Sequence, residues 1–445
     1  MSRVIAVHVT DVRFPTSLEL DGSDAVNVDH DYSAAYLRLE TDEGPDGFGL
    51  VFTAGRGNEV VVAAIEAMAQ LLPDEDLETL LSHLGHVSDC LVHDSQFRWI
   101  GPEKGVSQMA AGAVLNALWD IKAKRAGLPL WELLARMSPE ELVEVVDFSH
   151  LRDVLTEDQA LAIFAAGQRG RDERIAELKA AGYAAYTTSP GWLGYSDDKL
   201  QRLAREAVDE GFGLIKLKVG GSLADDVRRL RLARETVGPD VLIAIDANQK
   251  WEVHEAAGWV SALAPYDVHW VEEPTSMDDI LGHARIRREI APVQVATGEA
   301  VHNRVMFKQL LQAEAIDVMQ LDATRVAGPG ENLANLLLAH VFGVRVCPHA
   351  GGVGLCELVV HLAFFDYAVV SQSQHGRVVE FVDQQHEHFL APVRVERGRY
   401  LAPTVPGNNA EMHPESVAEW TYPSGPGWQR VRDDRPAGAG RTGLA

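Results

Sequence analysis

Residues 214–219 read Leu-Ile-Lys-Leu-Lys-Val, and residues 241–246 read Val-Leu-Ile-Ala-Ile-Asp. Each stretch is a short apolar run that ends near a charged side chain, and an amphipathic helical pattern over residues 225–236 lies between them. Short strands that alternate with helices are typical of a parallel β/α barrel. Such runs follow one another at residues 184–189, 214–219, 241–246, 269–273, 293–297, 318–322, 344–348 and 378–381. The pattern predicts an α/β fold in which eight parallel strands close a barrel.

The chain on either side of these runs has a different pattern. Strand-like alternation at residues 4–14 and 34–40 is followed by helical patterns, which indicates an α+β domain before the barrel. A chain of 445 residues is also longer than one core usually organises. A strand is predicted over 392–400, and the Gly-, Pro- and Arg-rich end from about 423 predicts a flexible tail. We therefore predict an N-terminal α+β domain over residues 1–150, a catalytic barrel over 151–390 and a C-terminal segment over 391–445.

The charge of the chain limits its partners. With 65 acidic and 40 basic residues the formal net charge is -25, and such a surface repels nucleic acid and anionic lipid. No apolar run approaches the ~18 residues of a membrane span, and the N-terminus lacks the apolar core of a signal peptide. The three cysteines form no CxxC pair, which argues against a disulfide framework and a thiolate zinc site. We expect a cytoplasmic protein with a small-molecule partner, and neither a nucleic acid nor a membrane as partner.

Ionisable side chains recur near the carboxyl ends of the predicted strands. In a β/α barrel these ends meet at one face, where active sites are built. Neighbouring members are 23 to 31 residues apart, which is about one strand-and-helix unit. The spacing therefore predicts that they surround one pocket. They are Lys218, Asp246, Glu272, Glu299, Asp322, His349 and Glu380.

Three carboxylates of this ring belong to consecutive strands, namely Asp246, Glu272 and Glu299. Carboxylates held close together repel one another unless a cation lies among them. Hard oxygen donors suit Mg²⁺. We predict Mg²⁺ as the cofactor and these three residues as its ligands; the alternative is three separate salt bridges or helix caps.

Lys216 and Lys218 lie on one face of the same strand, because side chains alternate along a strand. Burying two lysines is costly and needs a reason. One ammonium lowers the pKa of the other, which would make a usable base. We predict that Lys218 removes a proton and that Lys216 holds a substrate anion; the alternative is a solvated lysine pair.

Asp322 and His349 end the next two strands and could contact each other. The carboxylate would fix the tautomer of the imidazole and raise its pKa, which gives a general acid near neutral pH. A single histidine is more often a core residue, but the Asp partner and the flanking loop at 347–352 favour function. The predicted catalytic residues are Lys218, His349 and Asp322.

These motifs resemble the enolase superfamily and its mandelate racemase group. The motifs are Lys-x-Lys at 216–218, Asp-Ala-Asn at 246–248, Glu-Glu-Pro at 272–274, Gly-Glu at 298–299 and the Asp322/His349 pair. Longer strings, such as 31–36 and 192–198, resemble the L-fuconate dehydratases over nearly the whole chain. The resemblance implies a modified (β/α)7β TIM-type barrel, capped by the N-terminal domain together with the C-terminal segment.

The resemblance also implies a set of substrate-binding residues, which combines one loop of the cap with residues of the barrel. Within the cap, Tyr32, Asp24 and Trp99 are candidates for recognising the hydroxyls beyond C3. The chain departs from the family at residues 18–21, where Glu19 and Asp21 add two carboxylates near the site for an anion. The implied set is Gly22, Ser23, Asp24, Tyr32, Lys216, Asn248, Glu299, Ala350, Gly351 and Glu380.

The implied activity is that of a hydro-lyase acting on a sugar acid. The enzyme would convert L-fuconate to 2-dehydro-3-deoxy-L-fuconate and water with Mg²⁺, using a lysine base and stabilising an enediolate. Other interpretations stay open: a dehydratase for galactonate, arabinonate or altronate, a 2-hydroxy acid epimerase or racemase, or a non-catalytic metal-binding relative. We also expect a homo-oligomer.

Overall fold

The computed structural model describes residues 2–434. An antiparallel sheet opens the chain, with β2 in the centre and paired to both neighbours. Its strands are β1 (Val4–Arg13), β2 (Ser33–Thr41) and β3 (Gly47–Thr53). The loop between β1 and β2 is long, and it faces the barrel described below.

Nine helices, counted within residues 2–434, follow this sheet before the first barrel strand. The longest one, α5 (Gly105–Ala126), packs against β3. Gly47 and Gly49 permit this packing, because a Cβ at either position would clash with a carbonyl oxygen of the helix. Gly127 ends the helix at a φ of 67°, a conformation that favours glycine. The helices are α1 (Asn58–Ala69), α2 (Leu77–Ser82), α3 (Leu84–Val92), α4 (Ser95–Ile100), α5 (Gly105–Ala126), α6 (Leu130–Arg136), α7 (Pro139–Glu144), α8 (Glu157–Gly167) and α9 (Arg171–Ala181).

Within the described residues, eight parallel strands and seven helices then alternate, which is the (β/α)7β order that the resemblance implied. The last strand pairs with the first, and the backbone N–H of Glu380 donates to the carbonyl of Pro348 at 3.1 Å across the remaining gap. The strands are β4 (Tyr183–Thr187), β5 (Leu214–Lys218), β6 (Leu242–Asp246), β7 (Val268–Glu272), β8 (Gln294–Thr297), β9 (Val318–Met319), β10 (Arg345–Val346) and β11 (Val379–Phe381). The helices are α10 (Asp197–Asp209), α11 (Leu223–Val237), α12 (Val253–Leu263), α13 (Ile280–Ile290), α14 (Arg304–Gln312), α15 (Gly328–Phe342) and α16 (Leu355–Phe365).

The barrel lumen is filled in layers. Its apolar layer consists of Tyr186, Leu214, Ala244, Trp270, Ala296, Val318 and Cys347. Because inward-facing positions recur every second residue, Ala244 is followed by Asp246 and Trp270 by Glu272 on the same face. The alternation therefore puts the charged residues together at the carboxyl ends of the strands.

The C-terminal segment differs in two ways from its prediction. The predicted strand over 392–400 is two short strands, β12 (Val395–Glu396) and β13 (Arg399–Tyr400), joined by a turn with positive φ at Arg397 and Gly398. The predicted flexible tail contains a helix after α17 (Pro414–Trp420), namely α18 (Pro426–Asp434).

Aromatic packing explains the helix in the predicted tail. Trp428 is buried, packs edge-on against Trp420 and Tyr422, and donates from Nε1 to the carbonyl of Arg13 at 2.9 Å. The prediction of a flexible tail is wrong for 426–434, because composition did not reveal this contact with β1; residues 435–445 lie outside the described part. The domain boundaries at 150 and 390 stay predictions. Over residues 2–434, no helix combines the length and apolarity needed to cross a bilayer.

Candidate active site

A cavity of about 670 Å³ opens at the carboxyl ends of the barrel strands, and both the cap and the barrel line it. Ser23 lies inside the cap loop, where its hydroxyl donates to the carbonyl of Val28 at 2.8 Å. The predicted site residues that line the cavity are Gly22, Asp24, Tyr32, Lys218, Asn248, Glu299, His349 and Gly351. The other predicted residues are buried: Ser23, Lys216, Asp246, Glu272, Asp322, Ala350 and Glu380.

The three predicted metal ligands lie close together. Asp246, Glu272 and Glu299 bring carboxylate oxygens within 4.8 Å of one another. Within the described residues, Oε2 of Glu272 is buried without a hydrogen-bond partner, and Oε2 of Glu299 is buried 3.5 Å from Nε2 of His349 without forming a hydrogen bond. Buried carboxylate oxygens need a cation or a donor. This donor set therefore fits a divalent cation that prefers oxygen ligands.

The two lysines of β5 enter this cluster. Nζ of Lys216 lies 2.5 Å from Oε1 of Glu272 and 3.0 Å from Oε1 of Glu380. Nζ of Lys218 lies 2.5 Å from Oδ2 of Asp246. Both lysines are buried, so the alternative of a solvated pair is wrong.

The pKa of Lys218 differs from the prediction made from the sequence. Burial lowers this pKa, and Lys216 lowers it further, but Asp246 holds it above the usual value for lysine. The expectation of a lowered pKa is wrong for these contacts, because the sequence did not reveal how close Asp246 lies.

His349 and Asp322 form a buried pair. Nδ1 of His349 lies 3.0 Å from Oδ2 of Asp322, whose other oxygen accepts from the backbone N–H of Thr324 at 2.6 Å. Burial lowers the pKa of His349, but Glu299, Asp322 and Glu380 raise it to about 9. The imidazole therefore carries a proton at neutral pH.

Glu380 connects the loop after β10 to the lysines. Its Oε2 accepts from the backbone N–H of Ala350 at 2.9 Å, and its Oε1 accepts from the hydroxyl of Thr188. Burial raises the pKa of Glu380, but Lys216 and His349 lower it below the usual range. Glu380 is thus an ionised carboxylate that balances the charge of Lys216.

The cap loop forms one wall of the cavity. Gly22 has a φ of 86°, and a Cβ there would lie 2.5 Å from Cε1 of Tyr32, so both backbone and space require glycine. Oδ1 of Asp24 accepts from the backbone N–H groups of Val26 and Asn27, both at 2.6 Å. Asp24 therefore shapes the loop as well as lining the cavity.

The extra carboxylates of residues 18–21 do not line the cavity. Asp21 accepts from the hydroxyl of Tyr195 and lies 3.4 Å from Nζ of Lys199, whereas Glu19 is exposed. They therefore present no carboxylate to a substrate anion. Trp99 is 90% exposed and also lies outside the cavity, so the expectation that it contacts substrate is wrong.

The cavity also has lining residues that the sequence did not indicate, among them His30, Trp192, Glu273 and Arg325. Alternation along β7 places Glu273 on the face opposite to Glu272, but a φ of 41° at Glu273 changes the direction of the chain. Burial, together with Glu299 and Asp246, raises the pKa of Glu273 to about 8. The Glu-Glu-Pro motif was the one available signal for Glu273, whereas Arg325 follows β9 in a loop without a pattern.

A capped (β/α)7β barrel with three carboxylates at its mouth defines the class of protein. Residues 6–135 match the family "Mandelate racemase / muconate lactonizing enzyme, N-terminal domain", and residues 199–416 match "Enolase C-terminal domain-like". The chain belongs to the enolase superfamily, alongside mandelate racemase and muconate lactonizing enzyme.

Similar proteins cover nearly the whole chain. Mitochondrial enolase superfamily member 1 of Homo sapiens is 50% identical over 96% of this chain and 98% of its own length. Its crystal structure superposes with a TM-score of 0.95 over 97% of this chain and 98% of that one. L-galactonate dehydratase of Hypocrea jecorina is 49% identical over 93% of this chain and 92% of its own length.

A more distant solved structure contains a metal and a sugar acid. L-Talarate dehydratase from Polaromonas sp. JS666, complexed with Mg and L-glucarate, is 26% identical and superposes with a TM-score of 0.69 over 95% of this chain and 98% of that one. None of these three proteins is named as an L-fuconate dehydratase, so that finer part of the resemblance stays a prediction.

Proposed function

We propose that the protein is a Mg²⁺-dependent sugar acid dehydratase, with L-fuconate as the preferred substrate and 2-dehydro-3-deoxy-L-fuconate and water as the products. One observation carries the proposal: the carboxylate cluster of Asp246, Glu272 and Glu299 adjoins the cavity that Glu299, Lys218 and His349 line, and His349 is paired there with Asp322. A base, an acid and a cation site around one cavity suit the removal of water across a C–C bond.

Asp246, Glu272 and Glu299 would hold the Mg²⁺ ion, and the buried Oε2 atoms of Glu272 and Glu299, which make no hydrogen bond, support this. When bound, the ion supplies positive charge that stabilises an enediolate and neutralises Asp246, whose carboxylate otherwise raises the pKa of Lys218. The buried ammonium of Lys216 holds the substrate carboxylate by charge.

Lys218 and His349 carry the two proton transfers. Lys218, as the free amine, takes the proton from C2, and the electron pair of the C2–H bond delocalises into the carboxylate. His349 gives its Nε2 proton to the 3-hydroxyl, so the C3–O bond breaks and water leaves. The resulting enol takes up a proton at C3 and loses the proton of its 2-hydroxyl group to solvent, and so becomes the 2-keto acid.

The choice of substrate rests on stereochemistry. One relative is an L-galactonate dehydratase. L-Fuconate has the same configuration as L-galactonate at C2 to C5 and carries a methyl group where L-galactonate has a hydroxymethyl group. The apolar side chains of Phe52, Met109 and Met277 line the cavity and would favour the methyl group.

A second candidate is epimerisation of a 2-hydroxy acid. Lys218 and His349 both reach the cavity, so a proton removed by one could be returned to C2 by the other. Dehydration creates a 2-keto acid, which reacts with semicarbazide, whereas epimerisation exchanges the C2 hydrogen for deuterium without forming a ketone.

The test is a screen of a sugar acid library with the purified protein and Mg²⁺, read out as 2-keto acid. The library includes L-fuconate, L-galactonate, arabinonates and altronates, and a matched reaction contains the Lys218→Ala variant. We expect L-fuconate to have the highest kcat/KM and the variant to be inactive. Ketone formation that is equal in the variant, or absent with every acid, would contradict the proposal.

A further inference from the structure

Glu273 is a buried carboxylate that the mechanism above does not use. It is 1% exposed and lines the cavity. Nε2 of Gln249 donates to its Oε2 at 3.0 Å. Its Oε1 is buried and has no hydrogen-bond partner within residues 2–434, and none of the ion pairs described there involves Glu273.

A rigid frame holds Glu273 in place. The backbone N–H of Gln249 donates to the carbonyl of Glu273 at 2.7 Å, and Oε1 of Gln249 accepts from the backbone N–H of Met277 at 3.3 Å. Gln249 and Glu273 both have positive φ, at 64° and 41°. Because such conformations persist only where their surroundings hold them, this geometry is a built feature of the site.

The pair lies directly beside the predicted cation site. Gln249 follows Asp246 by three residues and Glu273 follows Glu272 by one, just beyond the carboxyl ends of the adjacent strands β6 and β7. A divalent cation bound beside Glu273 would keep its carboxyl group ionised, and the buried Oε1 would then need a donor, which a ligand of the cavity can supply. Mg²⁺ usually retains several water molecules, and such water can only donate, because its lone pair faces the ion.

We propose that Glu273 is a positioning residue of the cation site, whose free Oε1 accepts a hydrogen bond from a water molecule of the bound Mg²⁺. The inference rests on the Mg²⁺ site of the proposed function and adds a fourth carboxylate, which acts through water. Outer groups of this kind orient what the metal holds, and their loss costs about 10- to 100-fold in metal affinity.

The orientation of Gln249 makes a sharp variant possible. In Glu273→Gln, the side-chain oxygen has to face Nε2 of Gln249, so the new amide N–H₂ group faces the water and two donors meet. The double variant Gln249→Glu with Glu273→Gln reverses the pair. The carboxylate at 249 then accepts from the amide at 273, and an acceptor again faces the water.

The experiment is calorimetric titration of Mg²⁺ into the full-length protein after EDTA treatment, without substrate. We expect Glu273→Gln to weaken binding about 10- to 100-fold, and the double variant to restore most of the affinity. Asp278→Asn is the matched control, since it removes one exposed negative charge from the same loop and should change the affinity little.

Several outcomes would overturn the inference. One is a Glu273→Gln variant that binds Mg²⁺ as tightly as the wild type. Another is a Glu273→Gln variant that loses affinity only for an unreactive sugar acid analogue, because Glu273 would then contact substrate. A circular dichroism melt of each variant excludes unfolding, and a double variant that folds but stays as weak as Glu273→Gln also contradicts the idea. A wild-type protein that binds Mg²⁺ but forms no ketone would defeat the proposed function and leave this inference intact.

Discussion

Charge balance among single residues governs the site. The buried carboxylates outnumber the cationic groups that face them, which are Lys216, Lys218 and the protonated His349. Burial and neighbouring carboxylates raise the pKa of one of these carboxyl groups, Glu272, well above its usual value. An excess of buried negative charge is unfavourable unless a cation compensates it. A divalent cation is therefore part of the balance of this site as well as of its chemistry.

The proposed roles of Lys218 and His349 can be separated at the residue scale. In His349→Asn, elimination of water should fall about 10²- to 10⁴-fold, whereas the C2 hydrogen should still exchange with solvent deuterium, because Lys218 is unchanged. In Lys218→Ala, both processes should fall. Proton NMR in deuterated buffer measures exchange and product together, and a His349→Asn enzyme with normal elimination would remove His349 from the mechanism.

Asp322→Asn tests the origin of the raised pKa of His349. Asp322 is one of the groups that raise this pKa to about 9, so removing its charge should lower the pKa. Since His349 acts in its protonated form, the alkaline limb of the kcat profile should move to lower pH. Thr324→Val is a milder control, since it removes one hydrogen bond of Asp322 (3.0 Å) and keeps the carboxylate. If the alkaline limb of the kcat profile stays at the same pH in Asp322→Asn, the other carboxylates set the pKa of His349.

At the scale of elements, close backbone approach joins the cap to the barrel. Gly112 of α5 faces the carbonyl of Val326, in the loop after β9 that also carries Arg325. A side chain at this position would push the helix away from the loop. The site therefore depends on a helix that contributes few side chains to it.

Gly112→Ala should destabilise the protein by about 1–3 kcal/mol, because its Cβ would overlap the carbonyl oxygen of Val326. Gly258→Ala is the matched control in α12, where a Cβ would meet nothing within 4 Å. It should be neutral or should stabilise by up to about 1 kcal/mol, because alanine favours a helix. Urea unfolding of both variants measures the difference, and equal stabilities would contradict the overlap.

On the scale of the whole molecule, one buried arginine connects three parts of the chain. Arg304 of α14 lies 2.6 Å from Oε2 of Glu103, in the loop before α5, and 3.4 Å from Oε1 of Glu331 in α15. It also pairs with Asp147, in the link between the cap helices. Arg304 thus ties the loops of the N-terminal domain to the outer helices of the barrel.

Arg304→Met should cost about 3–5 kcal/mol, because it leaves buried carboxylates without their cation. The control Arg231→Met breaks the exposed pair with Glu235 within α11 and should cost at most about 0.5 kcal/mol. Thermal unfolding at neutral pH compares the two variants. A similar loss in both would mean that burial adds nothing to the Arg304 ion pairs.

The sequence by itself determined the barrel, the order of its elements and the chemical types around its mouth. Period-two alternation sets which face of a strand a residue occupies, and the barrel brings strand ends such as Asp246 and Glu272 together. These properties depend on local periodicity and topology, which a single chain displays directly.

Only the tertiary structure decided how the individual side chains are used. It turned Glu273 into the cavity through a positive φ, directed Asp21 to Tyr195, and packed Trp428 onto β1 where composition predicted a flexible tail. It also placed Asp246 so close to Lys218 that the pKa of Lys218 is raised, whereas the sequence predicted that it is lowered. These outcomes depend on distances of a few ångströms between residues that are remote in sequence, and neither periodicity nor composition encodes such distances.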